Sequence, residues 1–404
     1  MGALGGGSPV AASATRTTIH PVRSVDTASR TERPAPTNAT RVDAQAAAAA
    51  SAPHIMLILE ENESYNAIIG SPSAPYINGL ATTYRSATKW YAVQGNSPHD
   101  YLDLIVGSDL GLPSGQPYST PTLVDELHTA GIPWRAYMEN MPSNCVKGGG
   151  SSNGLYDTNH NPFIHFTNYL SSSPAWWCSA ANLSSEGVVP YSGSNSLVSD
   201  LTATNAPDFV FITPNDCDEM HGDTSTGSPC AGASNSALIK AGDNWLSSNI
   251  APVLSSTWFK RNGIVIITWD EATGDSSGCC GLTAPGGHIA TIVVSANNKG
   301  LGAFTGTGDH YGTLRALEES YGVGPLLGGS SNSVNGDLTG AFGSAPTTGS
   351  IGGTVKDAQT SAGITGATVT CTCSSGGVST GTGGSYSFAN VAPGTYSMTF
   401  SQPG

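Results

Sequence analysis

The sequence predicts an α/β fold with a mostly parallel central sheet flanked by helices, followed by a small all-β module. Short apolar runs bounded by polar residues are typical of strands that are buried on both faces of a parallel sheet. Helical patterns separate these runs, and strands that alternate with helices favour a parallel sheet. The predicted strands are Ile55–Leu59, Phe209–Thr213, Ile264–Thr268 and Ile289–Ser295. The predicted helices include Ala74–Tyr84, Thr122–Ala130 and Tyr311–Tyr321.

The composition limits the kind of protein. The 404 residues carry a net charge of −14 with only 15 Lys and Arg, and no basic cluster is present. A nucleic-acid partner is therefore not expected, because such a partner requires a basic surface. No apolar run reaches the roughly 18 residues that a membrane span needs, so no transmembrane segment is predicted. The acidic, Ser/Thr/Gly-rich composition is consistent with a secreted protein.

Changes in composition divide the chain into segments. Residues 1–52 are rich in Ala, Thr, Ser and Pro without an amphipathic period, and we expect them to be disordered. Residues 53–328 contain the strand and helix patterns and form the predicted α/β domain. Residues 329–349 are rich in Gly, Ser and Asn and are predicted to be a linker. Residues 350–404 show short alternating runs separated by Gly, Ser and Pro, which predict a small antiparallel β-sandwich.

The cysteines favour disulfides over a zinc site. The chain has 8 cysteines, and their spacing forms no CxxC…CxxC pattern. Disulfides in an oxidising compartment are the favoured interpretation, with Cys145–Cys178 and Cys217–Cys230 as the predicted pairs.

Carboxylates follow the predicted strands at the points where the strands end. Glu61 and Asn62 follow the first strand, Asp270 and Glu271 follow the third, and Glu219 and His221 come shortly after the second. The carboxyl ends of parallel strands meet at one edge, where α/β proteins bind ligands. Crowded carboxylates repel one another unless a cation neutralises them. We therefore predict a divalent cation site here, with solvated strand ends that bind nothing as the alternative.

Ser97 is the candidate nucleophile. It lies in a Gly- and Pro-bounded turn before the predicted helix LDLIVGS, where helix N-terminal N–H groups favour a phosphate. A bound cation can hold a serine as its alkoxide. A helix cap is the alternative role for this serine. A Ser-His-Asp triad is a competing chemistry, but the chain has no GxSxG elbow and a triad leaves the acidic strand ends unexplained.

Several motifs, taken in chain order, resemble those of the phosphoesterase family of bacterial secreted acid phosphatases and C-type phospholipases, within the alkaline-phosphatase superfamily. They are HIMLILEENESY, APYINGLA, SPHDY, TPNDCDEMHG, ITWDE, GGHIATIVVS and DHYGTLRALEESYG, within residues 53–328. The resemblance implies hydrolysis of phosphate esters through a phosphoserine or phosphothreonine intermediate. Residues 350–404 resemble a carboxypeptidase regulatory-like module that we expect to lack its last strands.

The resemblance also implies roles for individual residues. It assigns Ser97 as the nucleophile and Glu61, Asn62, Asp270 and Glu271 as ligands of a divalent metal ion of unknown identity. It implies that His160, His221 and His310 act on the phosphate or on the leaving group. Glu219 and His288 are expected to contact the substrate.

The expected activity is metal-dependent hydrolysis of small phosphate monoesters. One alternative is a phosphodiesterase of the phospholipase C kind, which would bind a phospholipid head group. The other is a non-catalytic surface protein that attaches through its β-module and flexible ends.

Overall fold

The computed structural model describes residues 16–19, 53–148, 154–170, 176–178, 183, 186–225, 227–343, 349–357, 360–371, 377–391 and 394–402. The chain forms two compact units, residues 35–343 and residues 1–34 together with 344–404. Most of the N-terminal segment that was predicted to be disordered lies outside the described residues. Its described part differs from that prediction, because Arg16–Ile19 forms a strand.

An eight-stranded sheet forms the centre of the larger unit, in the spatial order β4-β3-β5-β1-β6-β7-β2-β8. The strands are β1 (His54–Glu60), β2 (Arg85–Tyr91), β3 (Trp134–Glu139), β4 (Gly187–Tyr191), β5 (Phe209–Thr213), β6 (Gly263–Trp269), β7 (Thr291–Ser295) and β8 (Phe304–Asp309). The predicted apolar strands are confirmed as β1, β5, β6 and β7. The other four were not predicted, because polar or charged residues interrupt three of them and a proline interrupts β4.

The direction of β7 differs from that of its neighbours. It pairs antiparallel with β6 and β2, whereas the remaining neighbouring pairs are parallel. The sheet is therefore mostly parallel, as predicted. Because β7 runs in the opposite direction, it begins at the edge where its neighbours end. His288, three residues before β7, consequently lies at the same edge as the acidic strand ends.

Helices cover the sheet and begin and end at recognisable signals. They are α1 (Tyr65–Ile68), α2 (Pro75–Thr83), α3 (Ser97–Val106), α4 (Leu123–Ala130), α5 (Thr167–Leu170), α6 (Ser194–Leu201), α7 (Asn235–Ser255), α8 (Thr257–Asn262) and α9 (His310–Tyr321). Gly131 and Gly322 cap the C-terminal ends of α4 and α9 with left-handed φ values of 73° and 66°. Within the described residues, no helix combines the length and the apolarity that crossing a membrane requires.

The core lies on both faces of the central strands. The Ile, Met and Leu side chains of β1 are fully buried, as are the Phe, Val and Ile side chains of β5. A buried carboxylate ties two helices together, because Asp243 of α7 accepts a hydrogen bond of 2.9 Å from the Ile77 N–H of α2. Apolar residues thus surround strands whose polar ends reach the sheet edge.

Part of the predicted linker belongs to this core. Residues 328–343 contain short 3₁₀ helices at Gly328–Ser331, Ser333–Asn335 and Leu338–Ala341. Leu338 and Phe342 pack into the main hydrophobic core. The linker prediction is corrected here, because a few apolar anchors fold this segment despite its Gly/Ser-rich composition.

The smaller unit is an antiparallel β-structure. Its strands are β9 (Gly349–Thr354), β10 (Thr368–Cys371), β11 (Val378–Ser379), β12 (Ser385–Val391) and β13 (Gly394–Ser401). One sheet has the order Arg16–Ile19, β13, β10, β11, and the other pairs β9 with β12. Val369 and Met398 of the first sheet share a small core with Phe388 of the second, which supports the predicted sandwich.

Disulfides join the predicted pairs Cys145–Cys178 and Cys217–Cys230. A third disulfide, which was not predicted, joins the adjacent residues Cys279 and Cys280.

One buried carboxyl group makes stability depend on pH. Glu318 of α9 accepts hydrogen bonds from the Leu327 N–H (2.6 Å) and the Ser330 hydroxyl (2.5 Å). Burial raises the pKa of Glu318 to about 7. Since the folded pKa is raised, the stabilising contribution is complete below the unfolded pKa and is lost as the pH rises through about 7.

We predict that Glu318→Gln removes this loss of stability at higher pH. Glutamine resembles the neutral carboxyl group and can donate to Ser330. The Tm of the variant relative to wild type should therefore rise between about pH 5 and about pH 8. Thermal unfolding across this range measures the effect, with Glu319→Gln as the control because Glu319 is exposed. A Tm difference for Glu318→Gln that does not change with pH would contradict the assignment.

Candidate active site

Acidic residues from three adjacent strands meet at one edge of the sheet. The carboxyl ends of β1 and β6 lie side by side, with Glu60 paired to Trp269. Backbone hydrogen bonds join the segments that follow the strands. The Glu61 N–H donates to the Glu219 carbonyl (2.7 Å), and the Asp270 N–H donates to the Glu60 carbonyl (3.0 Å). The parallel sheet therefore brings together residues that are far apart in sequence.

Glu61 lies at the centre of this arrangement and is fully buried. Its Oε2 accepts hydrogen bonds from the Ser97 hydroxyl (3.0 Å) and from the Asn62 side-chain amide (2.8 Å). Asn62 has a left-handed backbone (φ 58°), which asparagine tolerates better than most residues. Its backbone N–H donates to Asp270 Oδ1 at 3.0 Å. The structure thus brings Ser97, Asn62 and Asp270 to one carboxylate.

Ser97 is the first residue of α3, and the turn before it is held by Asp100. The Asp100 carboxylate accepts from the N–H groups of Gln94 (2.8 Å) and Asn96 (3.2 Å). Asp100 is fully buried. No role was predicted for Asp100 from the sequence, although it lies one helical turn after Ser97. The Ser97 side chain is therefore presented by a hydrogen-bonded turn at a helix N-terminus.

His160 bridges two acidic residues. Its Nε2 lies 3.4 Å from Glu61 Oε1, and its Nδ1 lies 2.7 Å from Glu219 Oε1. The ring of Tyr101 stacks on it at 5.7 Å between centroids, with an interplanar angle of 9°. His160 is 4% exposed. His160 therefore lies inside the acidic cluster. Glu219, which is predicted to contact substrate, lies in the same cluster.

The remaining predicted histidines have different surroundings. His221 is exposed, and its ring lies 5.6 Å from that of His160. His310 is buried, with Nδ1 3.3 Å from Asp100 and Nε2 3.1 Å from the Trp269 carbonyl oxygen. His288 stacks on Tyr65 at 4.3 Å, and its described ring contacts are with Tyr65 and Tyr91. The structure therefore brings His160 and His221 together, holds His310 between α3 and β6, and gives His288 an aromatic environment.

Burial and mutual repulsion dominate the electrostatics of the cluster. Burial and then the neighbouring Asp270 charge raise the pKa of Glu61, whereas His160 lowers it. Burial and Asp216 likewise raise the pKa of Glu219. Glu271 has a pKa of about 7, raised by burial and by Asp270. These carboxylates would remain ionised at neutral pH only with nearby positive charge.

The buried oxygens fit a cation. Asp270 Oδ2 and Glu271 Oε2 are buried and accept no hydrogen bond. Glu61, His160 and Glu219 each offer a ligand atom, and these atoms lie within 4.8 Å of one another. Buried polar atoms normally have a partner, and oxygen donors suit hard divalent cations. The predicted ligands Glu61, Asn62, Asp270 and Glu271 therefore provide suitable donors, and the structure adds His160 and Glu219 to the set near Glu61.

Two features hold the loops of the site in place. The Cys217–Cys230 disulfide lies in the loop that carries Asp216 and Glu219. The Gly286 N–H donates to the Ala92 carbonyl (3.1 Å), and its carbonyl accepts from the Ala272 N–H (2.8 Å). Gly286 thereby links the segment that leads to Ser97 with the segment that follows Asp270 and Glu271.

The fold and this site are those of an α/β protein in which a serine at a helix N-terminus lies beside buried carboxylates. Residues 71–324 match the model of the phosphoesterase family, and residues 350–404 match the carboxypeptidase regulatory-like domain. The chain belongs to the phosphoesterase family, which makes it a phosphoric ester hydrolase.

Curated relatives are consistent with this assignment. The phosphatidylinositol-3-phosphatase of Mycobacterium tuberculosis is 28% identical over 284 residues, which are 69% of this chain and 80% of that protein. A phosphate-repressible acid phosphatase of Penicillium chrysogenum is 25% identical over 255 residues, covering 60% of this chain and 52% of that protein. The chain thus spans about half the length of this fungal relative.

A solved structure can also be superimposed on the chain. The structure of a protein in the alkaline phosphatase superfamily from Vibrio parahaemolyticus aligns with a TM-score of 0.48 and 12% identity, covering 71% of this chain and 70% of that chain.

We predict that Gly286→Ala impairs both folding and activity. A Cβ at this position would lie 1.4 Å from the Gln94 carbonyl oxygen and 2.7 Å from Ala92 Cβ. Because backbone atoms cannot yield as side chains do, we expect a loss of at least about 3 kcal/mol in unfolding free energy. Denaturant unfolding and hydrolysis of a phosphate ester measure the two effects.

Gly79→Ala is the matched control for this substitution. No atom lies within 4 Å of a Cβ at Gly79, which is inside α2. Since alanine favours a helix over glycine by about 0.5–1 kcal/mol, this variant should be as stable as wild type or more so. Wild-type stability and activity in Gly286→Ala would show that the contact is not needed.

Proposed function

We propose that this protein is a secreted, metal-dependent phosphomonoesterase in which Ser97 forms a phosphoserine intermediate. The observation that carries the proposal is the hydrogen bond of 3.0 Å from the Ser97 hydroxyl to Glu61, at the centre of a buried carboxylate cluster. The disulfides and the phosphatase names of the curated relatives support it. Secretion is consistent with disulfide formation in an oxidising compartment.

The covalent step is an in-line displacement. Ser97 Oγ forms a bond to phosphorus as the bond to the leaving alcohol breaks, and water then hydrolyses the phosphoserine. Glu61 orients the hydroxyl through its hydrogen bond, and the turn held by Asp100 keeps Ser97 at the helix N-terminus. The N–H groups there favour the approaching phosphate.

Glu61, Asn62, Asp270 and Glu271 are the proposed ligands of a divalent cation. Such a cation, when bound, would lower the pKa of the Ser97 hydroxyl and offset negative charge on the phosphate. The unpartnered buried oxygens of Asp270 and Glu271 support this ligand set. His160 and Glu219 lie close enough to Glu61 to complete the coordination shell or to bind the phosphate.

The predicted histidines have different proposed roles. His160 and His221 lie beside each other, and His221 is exposed. The proposed role of His221 is to protonate the leaving group from the solvent side. His310 has both ring nitrogens beside protein acceptors, Asp100 and Trp269. We therefore propose that His310 positions α3 relative to β6 and is not a phosphate donor. Glu219 acts on substrate through His160, and His288 remains a candidate substrate contact.

A phosphorylated lipid head group is the second candidate substrate. The relative from Mycobacterium tuberculosis is named a phosphatidylinositol-3-phosphatase and covers most of this chain. Rates on p-nitrophenyl phosphate, its bis-ester, phosphatidylinositol 3-phosphate and phosphatidylcholine separate the possibilities. Monoester cleavage alone supports the proposal, whereas cleavage of the bis-ester and of phosphatidylcholine would show a phosphodiesterase.

We predict that Ser97→Ala lowers kcat on p-nitrophenyl phosphate by about 10³-fold or more, because the attacking oxygen is removed. The metal content should stay at the wild-type level, since the four proposed ligands are unchanged. Ser114→Ala removes an exposed hydroxyl from a nearby loop and should leave kcat unchanged. Turnover by Ser97→Ala close to wild type would remove this residue from the mechanism.

We also predict that exhaustive chelation abolishes hydrolysis and that one divalent cation of a Mg²⁺, Mn²⁺, Ca²⁺ and Zn²⁺ panel restores it. Asp270→Asn should lose both metal and activity, because it replaces a buried anionic oxygen with an amide. Elemental analysis alongside the rate measurements tests this expectation. Full activity in protein without detectable metal would show that the carboxylates serve another purpose.

A further inference from the structure

A second group of potential ligands lies in the loop between β6 and β7. Cys279 and Cys280 form a disulfide there, and both residues are partly exposed. Their sulfur atoms and a carboxylate oxygen of Asp309 lie within 4.8 Å of one another. The loop folds back at this point, because the Leu282 N–H donates to the Cys279 carbonyl at 3.1 Å. Neither the disulfide nor Asp309 has a role in the proposed hydrolysis.

The two carboxylate oxygens of Asp309 differ in their hydrogen bonds with the described residues. It is fully buried at the end of β8. Its Oδ1 caps α9 by accepting from the N–H groups of Tyr311 (3.0 Å) and Gly312 (3.3 Å). Its Oδ2 is buried and accepts no hydrogen bond. Leaving a buried acceptor without a donor is costly, so this oxygen has an unused capacity to bind a donor or a cation.

The oxidation state of the cysteines decides whether this capacity can be used. Disulfide sulfurs carry no proton and are poor metal ligands, whereas thiolates bind metals well. Two thiolates and one carboxylate form a donor set that suits a thiophilic cation, in contrast to the oxygen-rich set around Glu61. Zinc binds sulfur at about 2.3 Å and carboxylate oxygen at about 2.0–2.2 Å, so the ligands of one tetrahedral ion lie about 3.5–3.8 Å apart. The two sulfurs are 2.02 Å apart in the disulfide, and each lies within 4.8 Å of the Asp309 oxygen. Separation of the sulfurs on reduction would bring the three groups toward the tetrahedral spacing.

We propose that Cys279, Cys280 and Asp309 form, when the disulfide is reduced, a binding site for a thiophilic divalent cation of the zinc and cadmium class. Reduction by a phosphine and water gives two thiols and a phosphine oxide, with the water oxygen transferred to phosphorus. Binding of the cation then releases the two thiol protons. Oxidation to the disulfide closes the site, so that occupancy depends on the redox state of the surroundings.

The test compares Cd²⁺ binding by the full chain before and after reduction. The protein is reduced with tris(2-carboxyethyl)phosphine, desalted without oxygen and titrated with Cd²⁺ in the ultraviolet region of cadmium–thiolate absorption. The other cysteines also bind Cd²⁺ once their disulfides are reduced, so the comparison is between two reduced proteins. We expect reduced wild-type protein to show a stronger thiolate band and one more equivalent of bound Cd²⁺ than the reduced C279S/C280S variant. Equal bands and equal stoichiometry in the two proteins would overturn the proposal. Because the band reports on sulfur ligation, the result does not depend on phosphatase activity.

Asp309→Asn tests the third ligand. Asparagine keeps the oxygen that caps α9 but replaces the anionic Oδ2, so the fold should be retained. We expect Cd²⁺ affinity to fall by about tenfold or more in the reduced variant. Unchanged affinity would overturn the three-residue site.

A second measurement covers the case in which the cysteine variant fails to fold. Tryptic peptide 262–299 contains Cys279 and Cys280 and no other cysteine. In reduced wild-type protein, Cd²⁺ should protect this peptide from alkylation by iodoacetamide, as read by mass spectrometry. Equal alkylation with and without Cd²⁺ would overturn the proposal.

Discussion

The burial of the Glu61 carboxylate is the constraint on which the candidate active site depends. A fully buried carboxylate is expensive unless hydrogen bonds or opposite charges compensate for it. Ser97 and Asn62 donate to one of its oxygens, and His160 lies beside the other. Asn62 is the next residue in the chain, whereas Ser97 and His160 come from segments far from Glu61 in the sequence. The unfavourable free energy of burying this carboxylate is therefore offset only when distant parts of the chain assemble around it.

The arrangement of the sheet explains how so many groups reach this carboxylate. Strands β5, β1 and β6 are adjacent and parallel, so their carboxyl ends lie at one edge. Two backbone hydrogen bonds then join the segments that follow these strands. The Glu61 N–H donates to the Glu219 carbonyl after β5, and the Asp270 N–H after β6 donates to the Glu60 carbonyl of β1. Because β7 is reversed, the connection from β6 to β7 stays at this edge. It includes Gly286, where a side chain has no room. Backbone hydrogen bonds thus join the segments of the site to one another without a contribution from substrate.

The sequence predicts the centre of this fold better than its periphery. Strands such as Ile55–Leu59 are recognisable because continuous apolar runs are buried on both faces. Strand β3 was not predicted, because it contains Arg135, which becomes acceptable in a strand only through its ion pair of 3.0 Å with Asp200. Helix α7 was missed for a similar reason, since its buried Asp243 is compensated by the distant N–H of Ile77. Tertiary partners decide such elements, and local patterns do not reveal them.

The site likewise has features that local sequence patterns predict and others that depend on tertiary partners. That Glu61 and Asp270 share an edge follows from the geometry of parallel strands, so it is predictable from the sequence. The stacking of Tyr101 on His160 depends on how α3 is rotated against the sheet, which no spacing reveals. His310 shows the limit most clearly. Its position in the chain matches a motif, but its partners Asp100 and Trp269 come from two other elements.

The acidity of the site has a consequence for how substrate and cation would bind. A phosphate dianion that enters beside Glu61 and Glu219 adds negative charge next to carboxyl groups whose pKa values are already raised by burial and by neighbouring acidic residues. Substrate alone is therefore repelled, and a cation alone is attracted. If a cation reduces this repulsion, it must strengthen phosphate binding, and by linkage the phosphate must strengthen cation binding by the same factor. A site built from buried carboxylates thus favours binding both charges together over binding the phosphate alone.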